Sequence, residues 1–323
     1  MHKYCKQDPF VGKTNYHWDL IAANLLFGAN FSFFYSLTRN DISFHTLFIL
    51  QVTTAALFFI PAALTSRRAY HITRHDAAQM LLVALLVIVG WMYMLLWGAS
   101  YTTPIDAAII ATLGPAFTLL TDKLLHRQQQ IGGIRTIGII CCFVGAWLLI
   151  FDKGFTLVHG SRGWGNLLVL IAVVSIAANT VIIKPQLERY GTRVVMGWFS
   201  LIGLFVALPH FDRILSELLA AHLPLTVQLE LGYILLPGTI LPMWLLYRGA
   251  EKLTAIHTAL YRYIQPLSAG LVAHIRHQAI FDTTNITALV VIFAGIVLTI
   301  VGYRRSLRSL NGSRAPRHPR QRR

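Results

Sequence analysis

Apolar runs of about twenty residues follow one another along nearly the whole of this chain, and only a lipid bilayer accommodates such a series. A hydrocarbon core roughly 30 Å thick is crossed by about 20 predominantly apolar residues in a helix. Ten stretches meet that length or approach it: 18–37, 44–64, 77–97, 104–123 and 134–151, then 164–183, 192–209, 229–247, 254–275 and 285–303. Charged residues make up 13% of the chain, about half the share usual in a soluble domain, which leaves no room for a separate water-soluble body. The expected fold is therefore an all-α polytopic membrane protein with ten transmembrane helices.

The net charge of +15 would point to nucleic acid in a soluble protein. Its distribution points instead to membrane topology. With both termini on one side, 22 of the 28 Lys and Arg residues fall on that side, five on the other and one, Arg262, within a span. Such a bias orients a membrane protein with its basic loops in the cytoplasm, so a cell membrane of the bacterial inner-membrane type is expected. No nucleic-acid partner is implied. The first seventeen residues lack an apolar stretch, so no cleavable signal is expected and the first span starts insertion.

An internal duplication divides the series in two. Gly98–Pro115 aligned with Gly249–Pro266 at an offset of 151 gives identities at Gly98/Gly249, Ala99/Ala250, Thr103/Thr254, Ile105/Ile256, Ala108/Ala259 and Pro115/Pro266. Five spans per copy is an odd number, so the second copy enters the membrane from the opposite side and the halves form inverted repeats. The expected organisation is a cytoplasmic arm at 1–17, a five-helix repeat at 18–151, an outer linker at 152–163, a second five-helix repeat at 164–303 and a basic cytoplasmic tail at 304–323. Between the seventh and eighth spans, Phe211–Leu223 reads either as an interfacial amphipathic helix or as a solvated connector.

Polar side chains inside the spans need a reason. A charge at the bilayer centre costs about 2.5 to 3.5 kcal/mol on insertion scales. Arg262 lies eight residues after Thr254, too deep to reach water easily. It either holds an anionic group of a substrate, which a planar guanidinium does well, or locks two helices through backbone carbonyls. His257, Tyr261 and Gln265 form a stripe at helical spacing, flanked by Arg262 and Tyr263, that belongs in a bundle interior. Asp106 occupies the position of His257 in the other copy, so either could carry a coupling proton, or each could simply cap its helix.

Each repeat also opens on a helix bearing an Asn after small residues, Asn30 in FGANF and Asn179 in IAANT. Both suit interhelical hydrogen bonding or substrate contact. Asn24, Trp91, Tyr93, Tyr233 and Trp244 could complete a mostly apolar pocket with a few polar points. Pro61, Pro115, Pro237, Pro242 and Pro266 mark places where helices bend or break. Gly132, Gly133, Gly138 and Gly145 allow a close neighbour along the fifth span. Cys5, Cys141 and Cys142 have no metal-ligand spacing, and no metal, cofactor or catalytic residue is expected.

FGANF at 27–31, GASYTTPIDAAIIATLGP at 98–115, its second copy RGAEKLTAIHTALYRYIQP at 248–266 and the glycine-spaced fifth span resemble the drug/metabolite transporter superfamily, in particular its EamA-type ten-helix members. The likeness extends from Trp18 to Tyr303. It implies two inverted five-helix repeats around a central cavity, and export or exchange of small metabolites, amino acids or drugs coupled to a proton or substrate gradient. One departure stands out: members commonly carry a Glu just after the fourth helix of each repeat, where this chain has His126-Arg127 and His277-Gln278.

The expected function is thus a secondary transporter, exporter or exchanger, working by alternating access on a small substrate that pairs with Arg262 if anionic. The alternatives are a passive pore or an integral membrane enzyme. Partners would be the substrate, coupling protons, the lipid bilayer and, left open, a second copy in a homodimer. A fluorescent protein fused to either terminus is expected to fluoresce, whereas alkaline phosphatase inserted within 152–163 should be active only if that linker lies outside the cytoplasm; the reverse pattern would invert the topology.

Overall fold

The computed structural model describes residues 14–40, 42–126, 133–151, 160–211, 223–278 and 283–313. The amphipathic segment 212–222, the arm 1–13, the linker 152–159 and the tail 314–323 lie outside the described residues. Ten helical units follow one another: α1 (Thr14–Arg39), α2 (Phe44–Leu64), α3 (Arg74–Ala99), α4 (Pro104–Leu125), α5 (Gly133–Phe151), α6 (Arg162–Ile182), α7 (Lys184–Tyr190 and Thr192–Ala207), α8 (Leu225–Lys252), α9 (255–275) and α10 (Thr283–Ser313). Six of them are long and apolar enough to cross a membrane. No strand occurs among the described residues.

The starts of these helices follow local chemistry. Ser43, Thr73, Thr103, Ser161 and Thr254 each accept a hydrogen bond from the backbone N–H three residues on, which satisfies a donor that the first turn leaves open. In α7 the chain turns by 117° between its two arms, where Gly191 takes φ +81°. That left-handed conformation suits glycine. The expected seventh span is therefore preceded by a short arm, Lys184–Tyr190, which reads as loop in the sequence alone.

Helix packing is reciprocal between the halves. α1 packs on α8 and α9, and its counterpart α6 packs on α3 and α4; α2 packs on α7, and α5 on α10. An exchange of this kind is what a two-fold axis between two five-helix halves produces.

Several helices lose regularity where they approach the centre. Pro115 and Pro266 have no N–H, so the carbonyls of Ala111 and Arg262 four residues earlier lack their helical donor. Around them the backbone tightens to three-residue hydrogen bonds, Thr112 N–H to Ile109 and Leu113 N–H to Ile110 in α4, and Gln265 N–H to Arg262 in α9. α8 widens to a π-helical stretch at Leu236–Ile240, with Pro237 inside it and Pro242 just beyond its end. Its counterpart in α3, Leu86–Tyr93, widens without any proline. Pro61, by contrast, lies within an uninterrupted α2.

Glycines set a close crossing of α5 and α10. A Cβ on Gly138 of α5 would lie 2.5 Å from the Gly295 carbonyl oxygen of α10, and one on Gly295 would lie 2.6 Å from the Gly138 carbonyl oxygen. The two backbones touch directly, as small residues permit in membrane helices. Gly145 plays a similar part against Ile292, whereas Gly133 faces open space. Gly138→Leu is expected to lower the unfolding midpoint in detergent by an amount matching about 1–3 kcal/mol of overpacking, and Gly133→Ala to leave it near the wild-type value.

Candidate functional site

Where α1, α2, α3, α4, α6, α8 and α9 converge they leave a cavity of about 60 Å³. Its wall is mostly apolar, built from Phe27, Phe31 and Phe34 of α1, Trp91 of α3 and neighbouring aliphatic side chains. Trp91 meets Phe27 edge to face, ring centres 5.6 Å apart. The polar points are Asn24, Asn30, Gln51, Thr239, Arg262 and Gln265, and no acidic side chain is among the described lining residues. Apolar walls with a few convergent polar groups are the usual make-up of a small-molecule site.

Arg262 stands in the four-residue tightened turn Tyr261–Ile264 that breaks α9. The break leaves the side chain pointing inward, 6% exposed, and Gly114 at the matching break of α4 makes room for it: a Cβ there would lie 3.0 Å from the arginine Cδ. One guanidinium nitrogen donates to Thr180 Oγ1 at 3.2 Å. The Nε is buried with no hydrogen-bond partner, as are Gln51 Nε2 and Asn30 Oδ1. All three of these side chains line the same cavity. Buried polar atoms are rarely left unmatched, and three around one void call for a ligand or water.

The remaining polar groups hold the wall in shape. Asn30 donates to the Gly238 carbonyl at 2.6 Å, the acceptor whose helical partner would be Pro242, so the amide takes over a bond that proline cannot make. Gln265 donates to Asn24 Oδ1 at 2.8 Å, joining α9 to α1. Asn179 occupies the equivalent place on α6, where it donates to Val83 of α3 at 2.9 Å and accepts from Tyr247 at 3.2 Å. Its bonds are complete and it stays outside the cavity lining.

The other residues singled out in the sequence disperse. The Tyr261 hydroxyl meets His17 Nδ1 of α1 at 2.6 Å, and Tyr263 packs towards Phe293 of α10 at 6.3 Å. Tyr93 bonds His45 at 3.1 Å within a cluster that includes Phe44, Phe48 and Trp97. Trp244 stacks on Phe59 at 6.3 Å and lines a second cavity, and Tyr233 stacks on Phe33 at 4.1 Å. His257 caps its own helix, its Nδ1 2.6 Å from Thr254 Oγ1. Asp106 lies at the opposite rim, 1% exposed, where it accepts from Arg162 Nε and from Asn285, both at 2.5 Å, with Asn166 at 3.5 Å. The structure does not bring Asp106 and His257 together.

Gln51, which lines the cavity, and Thr180, which bonds Arg262, are features that the sequence reading passed over. Gln51 carried a signal, a lone amide in the apolar run of α2. Thr180 had none of its own, since a hydroxyl in a membrane helix usually returns its hydrogen bond to the preceding turn, as Thr180 also does with Ile176 at 2.7 Å.

A bundle of apolar helices around a mostly apolar cavity with a few polar points suits a membrane transporter. The EamA-like transporter family model matches residues 18–151 and 163–301, and the chain belongs to that family. Among curated relatives, the uncharacterized transporter YetK of Bacillus subtilis (strain 168) is 23% identical over 71% of this chain and 70% of its own. Protein PecM of Dickeya dadantii (strain 3937) is 25% identical over 65% of this chain and 69% of its own, and an uncharacterized transporter of Clostridium kluyveri is 25% identical over 75% and 79%. A solved crystal structure superposes with a TM-score of 0.62 over 90% of this chain and 98% of its own, at 16% identity, a likeness of fold alone. The protein is therefore a multi-pass membrane transporter.

Asp106 gives a test of the rim. Removing one partner of a buried ion pair costs about 3–5 kcal/mol, because the other charge is left without compensation. Asp106→Ala is expected to lose stability on that scale in detergent unfolding, and Asp106→Asn less, since the amide still accepts from Arg162.

Proposed function

We propose that this protein is a secondary transporter that moves a small anionic metabolite across the cytoplasmic membrane by alternating access. Two inverted five-helix repeats, 18–151 and 164–303, would rock about the central cavity, with both termini and the basic tail in the cytoplasm. Export or exchange, driven by a proton or substrate gradient, is what the resemblance to EamA-type transporters implies.

The observation that carries the reading is Arg262. Its guanidinium is buried in a cavity with no described acidic neighbour and makes one hydrogen bond, to Thr180. A buried cation without a counter-charge is unfavourable in a medium of low dielectric, and a substrate carboxylate or phosphate relieves it. Gln51 Nε2 adds a second open donor and Asn30 Oδ1 an open acceptor, while the three phenylalanines and Trp91 suit an apolar portion of the same molecule. Static helix locking accounts for the bond to Thr180 but not for the open Nε.

Growth of cells expressing the protein on a panel of toxic amino acids, analogues and antimicrobials would find a substrate, and proteoliposome flux with and without a pH gradient would give coupling and direction. Arg262→Ala is expected to reduce flux at least tenfold while the protein still inserts and purifies normally. Arg262→Lys should retain part of the flux, because a point charge replaces a two-pronged donor. Normal transport by Arg262→Ala would overturn the counter-charge.

A further inference from the structure

The second cavity lies at the rim formed by the start of α1, the turn before α3, the bend of α7 and the end of α8. Its volume, about 710 Å³, far exceeds that of the central one. Four cations line it, Arg68, Arg193, Arg248 and Lys252, against a single carboxylate, Glu251.

The internal ion pairs leave part of this charge over. Arg248 is taken up by Asp19 of α1 in a two-pronged bond, with contacts of 2.7 and 2.6 Å. Glu251 is engaged three times, by Lys252 at 2.7 Å and by the Thr192 N–H and hydroxyl at 3.0 and 2.9 Å. Arg68 and Arg193 have no ion pair among the described residues, and both are exposed to the cavity's solvent. Arg68 stands near enough to Lys252 for the two cations to repel. It also reaches the wall at Gly191, whose Cβ position would lie 3.9 Å from an arginine terminal nitrogen and 3.9 Å from a Glu251 oxygen.

Basic residues on this rim are expected from topology alone, and ordinary topogenic charges project from convex loops into water. Here charges from three separate segments of the chain face one concavity with surplus positive charge. Two unpaired guanidinium groups beside an ammonium match an oxyanion with more than one negative charge, and the guanidinium fork matches tetrahedral phosphoryl oxygens. We propose that this cavity is a binding site for a phosphoryl group, separate from the central cavity and independent of what Arg262 binds.

That phosphoryl group has two sources at a membrane rim, a soluble phosphate or the headgroup of an anionic phospholipid, and their arms can be read in one assay. Full-length protein in a neutral detergent would be titrated at constant ionic strength with inorganic phosphate, with dihexanoyl phosphatidylglycerol and with succinate, following the thermal unfolding midpoint. A ligand that binds only the folded state raises that midpoint saturably. Saturable shifts with phosphate and with the lipid assign a general phosphoryl site; a shift with the lipid alone assigns a headgroup site. The Arg68→Gln/Arg193→Gln double variant should weaken apparent affinity at least tenfold. Arg67→Gln, an exposed arginine outside the cavity, should not. Should the double variant fold poorly, each single variant is expected to weaken binding at least threefold. No saturable shift with either phosphoryl probe, an equal shift with succinate, or undiminished binding in the arginine variants would overturn the proposal.

Discussion

Hydrocarbon offers no hydrogen-bond partner, so each polar atom in a membrane-spanning bundle must be answered from within the protein or by something it holds. Most of this structure follows from that demand. The prolines of α4, α8 and α9 free backbone carbonyls in the middle of the bundle, and side chains or tightened turns take up part of what they release. Asn30 bonding to Gly238, opposite Pro242, is the plainest case: a side-chain amide on one repeat repairs the helix of the other. Asn179 makes the same kind of bond to Val83, across the reciprocal contact between α6 and α3.

The two repeats solve the demand unequally, and the site lies in the difference. In the first copy the break of α4 carries Ala111 and Gly114, small residues that ask for nothing. In the second copy the same positions are Arg262 and Gln265. Gly114 then serves as the space into which Arg262 fits, so the duplicated scaffold supplies both the cation and its room. Asn179, with both ends of its amide bonded, is a fastening. Asn30, bonded at one end and open at the other, is a fastening that also presents an acceptor to the cavity.

The rims work by different chemistry. Asp106, Arg162, Asn166 and Asn285 tie the starts of α4, α6 and α10 through a buried carboxylate. At the other rim the corresponding α1 to α9 contact is the hydrogen bond between His17 and Tyr261, with no carboxylate in it, and ion pairs are formed by Asp19 with Arg248 and by Asp76 with Arg189. The proposed alternating access requires contacts at both rims that can separate. In all three pairs the carboxylate is buried, but Arg248 and Arg189 are more exposed than Arg162, so water replaces a lost contact more readily at that rim than it does for Asp106 with Arg162.

Class, helix order and duplication were legible in the sequence, because they follow from hydrophobic length, charge bias and repeated motifs that act locally. Arg262, Asn30, Gln265 and Trp91 were legible as residues with no reason to lie in lipid. Which of the candidates shared a cavity was not, since Tyr93, Tyr261, Tyr263 and Trp244 carry the same local signal and turn towards other neighbours. That sorting depends on helix rotation, which is decided by distant contacts such as Gly138 against Gly295 and by helix breaks like the π-helical stretch of α3, where no proline announces it. The sequence by itself determined what must be buried in the membrane and which polar groups would need partners. Only the tertiary structure decided which of those groups satisfied one another and which, as at Arg262, were left facing the central cavity, because hydrogen-bond pairing is a property of positions that packing brings within reach.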